Sequence, residues 1–169
     1  MRKLLLFLFL GIVIIFAYLG FNILTHEDAV TIYFYRYDKL YPVKRSAQPD
    51  MQMKTAVFAL SALFEGPNTE ERSNRIQTMI PSNIRCVVPS GEKNGVLVLV
   101  FNEALLNISG GHNVIEGMLK QVVFTVTEIQ GINAVRFQVL NQENETLVIG
   151  GEGYTIDRPL DRAYFKGAN

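Results

Sequence analysis

The chain lacks tryptophan altogether, and among 169 residues it has two histidines and a single cysteine. With only Cys86, no internal disulfide can staple the fold, so any domain must be held by its core. Cys86 sits inside an apolar strand pattern and reads as a small buried hydrophobe rather than a reactive thiol. No His/Cys/Asp/Glu spacing matches a metal site, and Glu103, Glu116 and Glu152 are scattered without a paired motif. His112 follows Ser109-Gly110-Gly111, but no strand–Gly-x-Ser-x-Gly–helix elbow surrounds it. The loop also lacks a P-loop lysine and dinucleotide-fingerprint spacing, so it reads as flexible linkage rather than an anion site. An excess of positive charge is missing too. The formal net charge is zero, and setting aside Arg2 and Lys3 leaves 14 of the 16 basic residues against 16 acidic ones. That argues against a nucleic-acid partner. No enzyme, cofactor or metal is expected.

What the sequence has instead is one long apolar run. Leu4 to Leu24 contains no charge and a single amide, Asn22. A stretch of roughly 20 apolar residues spans a bilayer as a helix. Arg2 and Lys3 precede it and His26, Glu27 and Asp28 follow, so the N-terminus is expected in the cytoplasm and the rest outside. A cleaved signal peptide would have a shorter apolar core and an A-x-A-like site, which FAYLGFNIL does not offer. Secretion after cleavage is kept as the alternative to an uncleaved anchor.

Beyond the anchor, Val30–Tyr37 alternates as a strand, with Val30, Ile32 and Phe34 on one face and Thr31, Tyr33, Tyr35 and Tyr37 on the other. The tyrosine face reads as half-buried packing, with a ligand platform as the rival. Asp38-Lys39 is a turn, and Leu40–Arg45 returns as an edge strand because Pro42 cannot donate to a ladder. Asp50 caps a helix over 51–64, with a stripe of Met53, Ala56, Val57, Leu60, Leu63 and Phe64, stopped by Gly66-Pro67. Asn68 or Thr69 caps a short turn through Glu70, Glu71 and Arg72, read as a solvated arm. Thr78-Met79-Ile80-Pro81 dips back toward the core.

Ile84–Val88 and Val96–Phe101 form a hairpin around GEKNG, the second strand apolar on both faces. A second helix is expected over 113–130, with Asn113 and Glu116 as a capping box. Its stripe is Ile115, Met118, Leu119, Val122, Val126 and Ile129. Ala134–Leu140 is a strand, Gln142-Glu143-Asn144 a turn and Thr146–Ile149 a short returning strand. Two glycosylation-like sequons begin at Asn107 and Asn144, a pattern common by chance. The expected fold is α+β: two helices packed on a mixed, mostly antiparallel sheet in the order ββ-α-ββ-α-ββ, preceded by one transmembrane helix. Residues 1–28 hold the stub and anchor, 29–150 the domain, and 151–169 a loosely docked tail.

Taken in order, VTIYFYRYDKLYPVKR, ALSALFEGP, MIPSNIRCV, VLVLVFNEALLN and MLKQVVFTVTEIQGINAVRFQV resemble the GerMN domain of bacterial sporulation and spore-germination proteins. The resemblance covers about residues 30–140 and is carried by the order of the pieces. It implies an exported, membrane-attached, non-catalytic domain that works by packing side by side with other envelope proteins, possible self-association included. Two departures stand out: the chain has one such domain, and no cysteine follows the apolar span for lipid attachment. Expected interaction surfaces are the arm at Glu70, Glu71 and Arg72 and the Leu40–Arg45 edge. The rival reading is a cell-wall glycan or small-ligand binder using Tyr33, Tyr35 and the SGGH loop.

Overall fold

Strand β1 (Ala29–Arg36) forms because its alternation buries Val30, Ile32 and Phe34 on one side while branched and aromatic side chains suit an extended backbone. It belongs to a computed structural model that describes residues 29–46, 52–142, 146–151 and 153–166. The anchor at Leu4–Leu24, the Asp50 cap and the Glu143-Asn144 turn lie outside the described residues. Among the described residues no helix is long and apolar enough to cross a membrane.

β1 turns into β2 (Lys39–Ser46) through Tyr37 and Asp38, whose φ values of 49° and 60° are those of a two-residue type I′ hairpin. The turn thus lies one residue earlier than Asp38-Lys39. β2 is an edge strand, as its proline suggests, in a sheet ordered β2-β1-β3. The third strand is a two-residue β3 (Ile76–Gln77), which the sequence pattern did not reveal. Pro42 faces Tyr33 across the pair. Because the Tyr33 N–H and C=O both bond away from β2, this is a non-hydrogen-bonded position, where the missing donor costs the ladder nothing.

Helix α1 (Gln52–Glu65) buries Ala56, Ala59, Leu60, Ala62 and Leu63. Val57, placed on the core stripe from spacing, is instead exposed, because the small alanines let the helix sit close along their own side. α2 (Thr69–Ser73) and β3 follow, then β4 (Cys86–Lys93) and β5 (Val96–Phe101). The β4–β5 turn is Asn94-Gly95 alone, both with φ above zero; Gly91-Glu92-Lys93 continue β4 past two bulges. A 3-10 turn (Glu103–Asn107) leads to α3 (Gly111–Val126). That helix starts two residues before Asn113 and is capped by Gly110 without a side-chain bond, so the Asn113–Glu116 box does not form. It also ends four residues short of Gln130, though Ile129 stays buried.

The chain then returns in β6 (Ala134–Val139), parallel to β5, giving a sheet ordered β4-β5-β6. A parallel pair needs a crossover, and α3 supplies it. β7 (Leu147–Ile149) does not return on β6; it pairs with β8 (Tyr154–Ile156) in a separate two-stranded sheet. The result is three helices on mixed sheets rather than two helices on one. One apolar cluster joins the sheets with α1 and α3, from Phe34 through Leu63, Phe101 and Met118 to Phe165. Phe101 stacks on Phe137 at 5.4 Å. The C-terminal segment is part of this cluster rather than loosely docked: Leu160 is fully buried and exchanges backbone hydrogen bonds with Val135 at 2.8 Å.

Candidate interaction surface

The polar arm after Gly66-Pro67 is a folded element. Asn68 caps α2: its Oδ1 accepts the Glu71 N–H at 2.8 Å, and Glu71 Oε2 accepts the Asn68 N–H at 2.7 Å. The same carboxylate oxygen takes Arg45 Nη2 from β2 at 2.7 Å. Glu71 is therefore buried and structural, not a solvated contact residue. Glu70 and Arg72 do face solvent, and Arg72 Nε donates to the Pro67 carbonyl at 2.6 Å. The arm locks the end of β2 to the end of α1.

The tyrosine face of β1 lies under α3. Tyr35 is buried, its phenol pushed up to about 12 by that burial and by the Glu116 charge. Tyr33 is half-buried, edge-on to Phe124 at 5.6 Å, and its hydroxyl donates to Glu128 at 2.8 Å. Burial first, then the Glu128 hydrogen bond, raises its pKa. Arg162, from the C-terminal segment, covers both Phe124 and Tyr33 and pairs with Glu128. These two tyrosines form packing, not an open platform. Two residues that periodicity passed over hold this contact. Gln121 and Thr125, both fully buried on α3, take the backbone of Tyr33: Thr125 Oγ1 accepts its N–H at 3.0 Å, and Gln121 Nε2 donates to its carbonyl at 3.0 Å. Gln121 Oε1 also accepts the Met79 N–H at 2.6 Å. Polar side chains four apart beside an apolar stripe were the available signal.

His112 is exposed, bonds Glu116 at 3.0 Å and packs on Tyr154 at 4.9 Å. Lys120 holds the other Glu116 oxygen at 2.6 Å. Burial alone would raise the Glu116 pKa, but these two partners outweigh it and lower it. Ser109 is exposed and makes no described bond to His112. Among the described residues no group of three or more His, Cys, Asp or Glu converges to hold a metal.

The open apolar surface lies elsewhere. A groove of about 520 Å³ runs between α1 and the start of β4, lined by Val57, Leu60, Ser61, Phe64, Glu65, Arg85, Cys86 and Val87. Val57 and Val87 are each 45% exposed and Phe58, on the same helix, 36%. Burial pushes the Cys86 thiol up to about 11. The sequence placed Val57 and Cys86 in the core, so it gave no sign of this groove.

Comparison with known proteins now bears on this architecture. The family described as Germane, sporulation and spore germination, matches residues 31–145. The chain belongs to this family. Solved GerMN structures share its fold. The tandem GerMN domains of the sporulation protein GerM from Bacillus subtilis align with a TM-score of 0.58 at 21% identity, over 79% of this chain and 44% of that one. The first GerMN domain of the same protein gives 0.58 at 20% identity, over 80% and 98%. A candidate lipoprotein from Clostridium perfringens gives 0.54 at 19% identity, over 80% and 87%. This chain thus spans less than half of the tandem structure. No curated protein matches it.

Proposed function

We propose that this Germane-family chain is a membrane-anchored envelope protein whose non-catalytic domain mediates protein assembly, in the sporulation or germination setting of its family. The supporting observation is the groove between α1 and β4. Val57 on α1 and Val87 on β4 expose apolar area on its two walls, and contiguous apolar surface on a folded domain is a common mark of protein contact. The anchor is Leu4–Leu24, and the domain lies outside the cytoplasm. Assembly at the groove uses side chains rather than strand addition on β2, whose outward position at Pro42 offers no donor.

The test is the mass of the full-length protein, extracted gently from its native membrane and measured by light scattering, with mass spectrometry of what accompanies it. The expected result is a complex larger than the monomer, which Val57→Glu with Val87→Glu dissolves without changing the melting temperature. A full-length protein that stays monomeric and alone would refute assembly.

A further inference from the structure

We propose that the tip of the β1–β2 hairpin docks a carboxylate-bearing segment of a partner protein. This proposal rests on the assembly reading above, at a surface separate from the groove.

The guanidinium carbon of Arg36 lies 5.4 Å from the ring centres of both Tyr37 and Tyr41, and that of Arg75 lies 5.7 Å from the Tyr37 ring. Two like charges therefore share one ring. The pairing of Arg36 with Lys39 on one side and Ile76 on the other brings Lys39 and the residue before Ile76, Arg75, to the same end of the sheet. Arg45 and Arg162 each carry a carboxylate partner, Glu71 and Glu128. Among the described residues Arg36 and Arg75 carry none; Arg36 Nε, like Arg45 Nε, is buried without a hydrogen-bond partner, but Arg45 has Glu71 on its Nη2 and Arg36 has no carboxylate at all. Asp38, in the turn, reaches neither of them as an ion pair. Two arginines on one ring, neither with a carboxylate partner, favour an anionic acceptor.

The shape of the demand narrows the partner. Arginine presents a planar fork that matches a carboxylate two bonds at a time. Tyr37 is 61% exposed and Tyr41 38%, so the ligand must also cover ring faces. Tyrosine and arginine together are the side chains that carry binding energy at protein interfaces. A free polyphosphate would satisfy the guanidiniums and leave the rings wet. The tip also stands at the far end of β1 from Ala29, about 25 Å along an eight-residue strand, the end farther in sequence from the N-terminal span.

The test places a photo-crosslinking phenylalanine analogue at Tyr41 of the full-length protein in native membranes, with a second probe at Phe64 in the groove. The expected product at Tyr41 is a peptide of another protein with two or more Asp or Glu residues in the linked segment. Its yield should fall about tenfold in Arg36→Glu/Arg75→Glu, a change of about 1.4 kcal/mol in affinity. Lysines in place of those carboxylates should restore it. Arg36→Gln/Arg75→Gln, checked for an unchanged melting temperature, separates lost binding from lost fold. Crosslinks at Tyr41 to lipid, to glycan or to a segment without carboxylates would overturn the proposal, as would yields that ignore the charge swap. Crosslinks from Phe64 with none from Tyr41 would remove the tip and leave assembly standing. Silence at both would remove both.

Discussion

Glu71 Oε2 accepts two hydrogen bonds at 2.7 Å, one from the Asn68 N–H that opens α2 and one from Arg45 Nη2 at the end of β2. One carboxylate oxygen thus caps a helix and ties it to a sheet edge. Glu71→Ala should destabilise the domain by about 2–4 kcal/mol, combining a lost cap with a stranded, part-buried arginine. Glu71→Gln keeps an acceptor and should cost less. Glu70→Gln, one residue away and exposed, should stay within about 0.5 kcal/mol. Urea unfolding of the three variants checks the order.

Thr125→Val removes the acceptor for the Tyr33 N–H while keeping shape. Leaving a buried donor unsatisfied should cost about 1–3 kcal/mol. The Tyr33 amide should also lose protection in hydrogen exchange by more than its neighbours on β1 do. Uniform loss along the strand would mean that the bond is not the cause.

Cys86 should alkylate slowly. With its pKa near 11, the thiolate at pH 8 is about two orders of magnitude scarcer than for a free cysteine. The higher basicity of that thiolate returns about one order in nucleophilicity. Iodoacetamide at pH 8 should therefore react about tenfold more slowly than with an unfolded control. A partner seated in the groove should slow it further.

Burial would raise the Glu128 pKa, yet the hydrogen bonds of Arg162 and Tyr33 and the Arg162 charge outweigh it, and the group titrates below the ordinary glutamate range. Between its folded and unfolded pKa values the native state binds fewer protons than the unfolded chain, so stability rises with pH there. The contribution is complete above the unfolded value of about 4.3 and is lost as pH falls through the folded one. Its side chain is about a third exposed, so the effect should stay below about 1 kcal/mol. Melting temperatures of wild type and Glu128→Gln from pH 3 to 7 should differ most at neutral pH and converge in acid.

Periodicity located most of the elements, because strands such as Ala29–Arg36 and the long helix through Val122 carry strong two-fold and helical patterns. It failed where tertiary contacts decide. α1 turned its alanines inward, so Val57 faces the groove although its spacing fits the stripe. Glu71 reads as solvated by composition and is buried only because Arg45, distant in sequence, meets it. β3 is two residues long, too short to leave a pattern. The resemblance to GerMN domains, by contrast, rested on the order of several segments and survived these local errors.

The pairing of Leu160 with Val135 sets a timetable for the growing chain. Until residue 160 arrives, Val135 on the outer edge of β6 lacks its backbone partner, and Phe165 is not yet there to back Phe124. Arg162 is likewise absent from the face of Tyr33. A nascent or truncated product ending before residue 158 would lose the bridge on the edge of β6 and the cover over Phe124 and Tyr33, leaving a barer edge and apolar surface of the kind that recruits other chains. Completion of this domain therefore waits on its last segment, and shortened forms should fail by sticking together rather than by simply melting sooner.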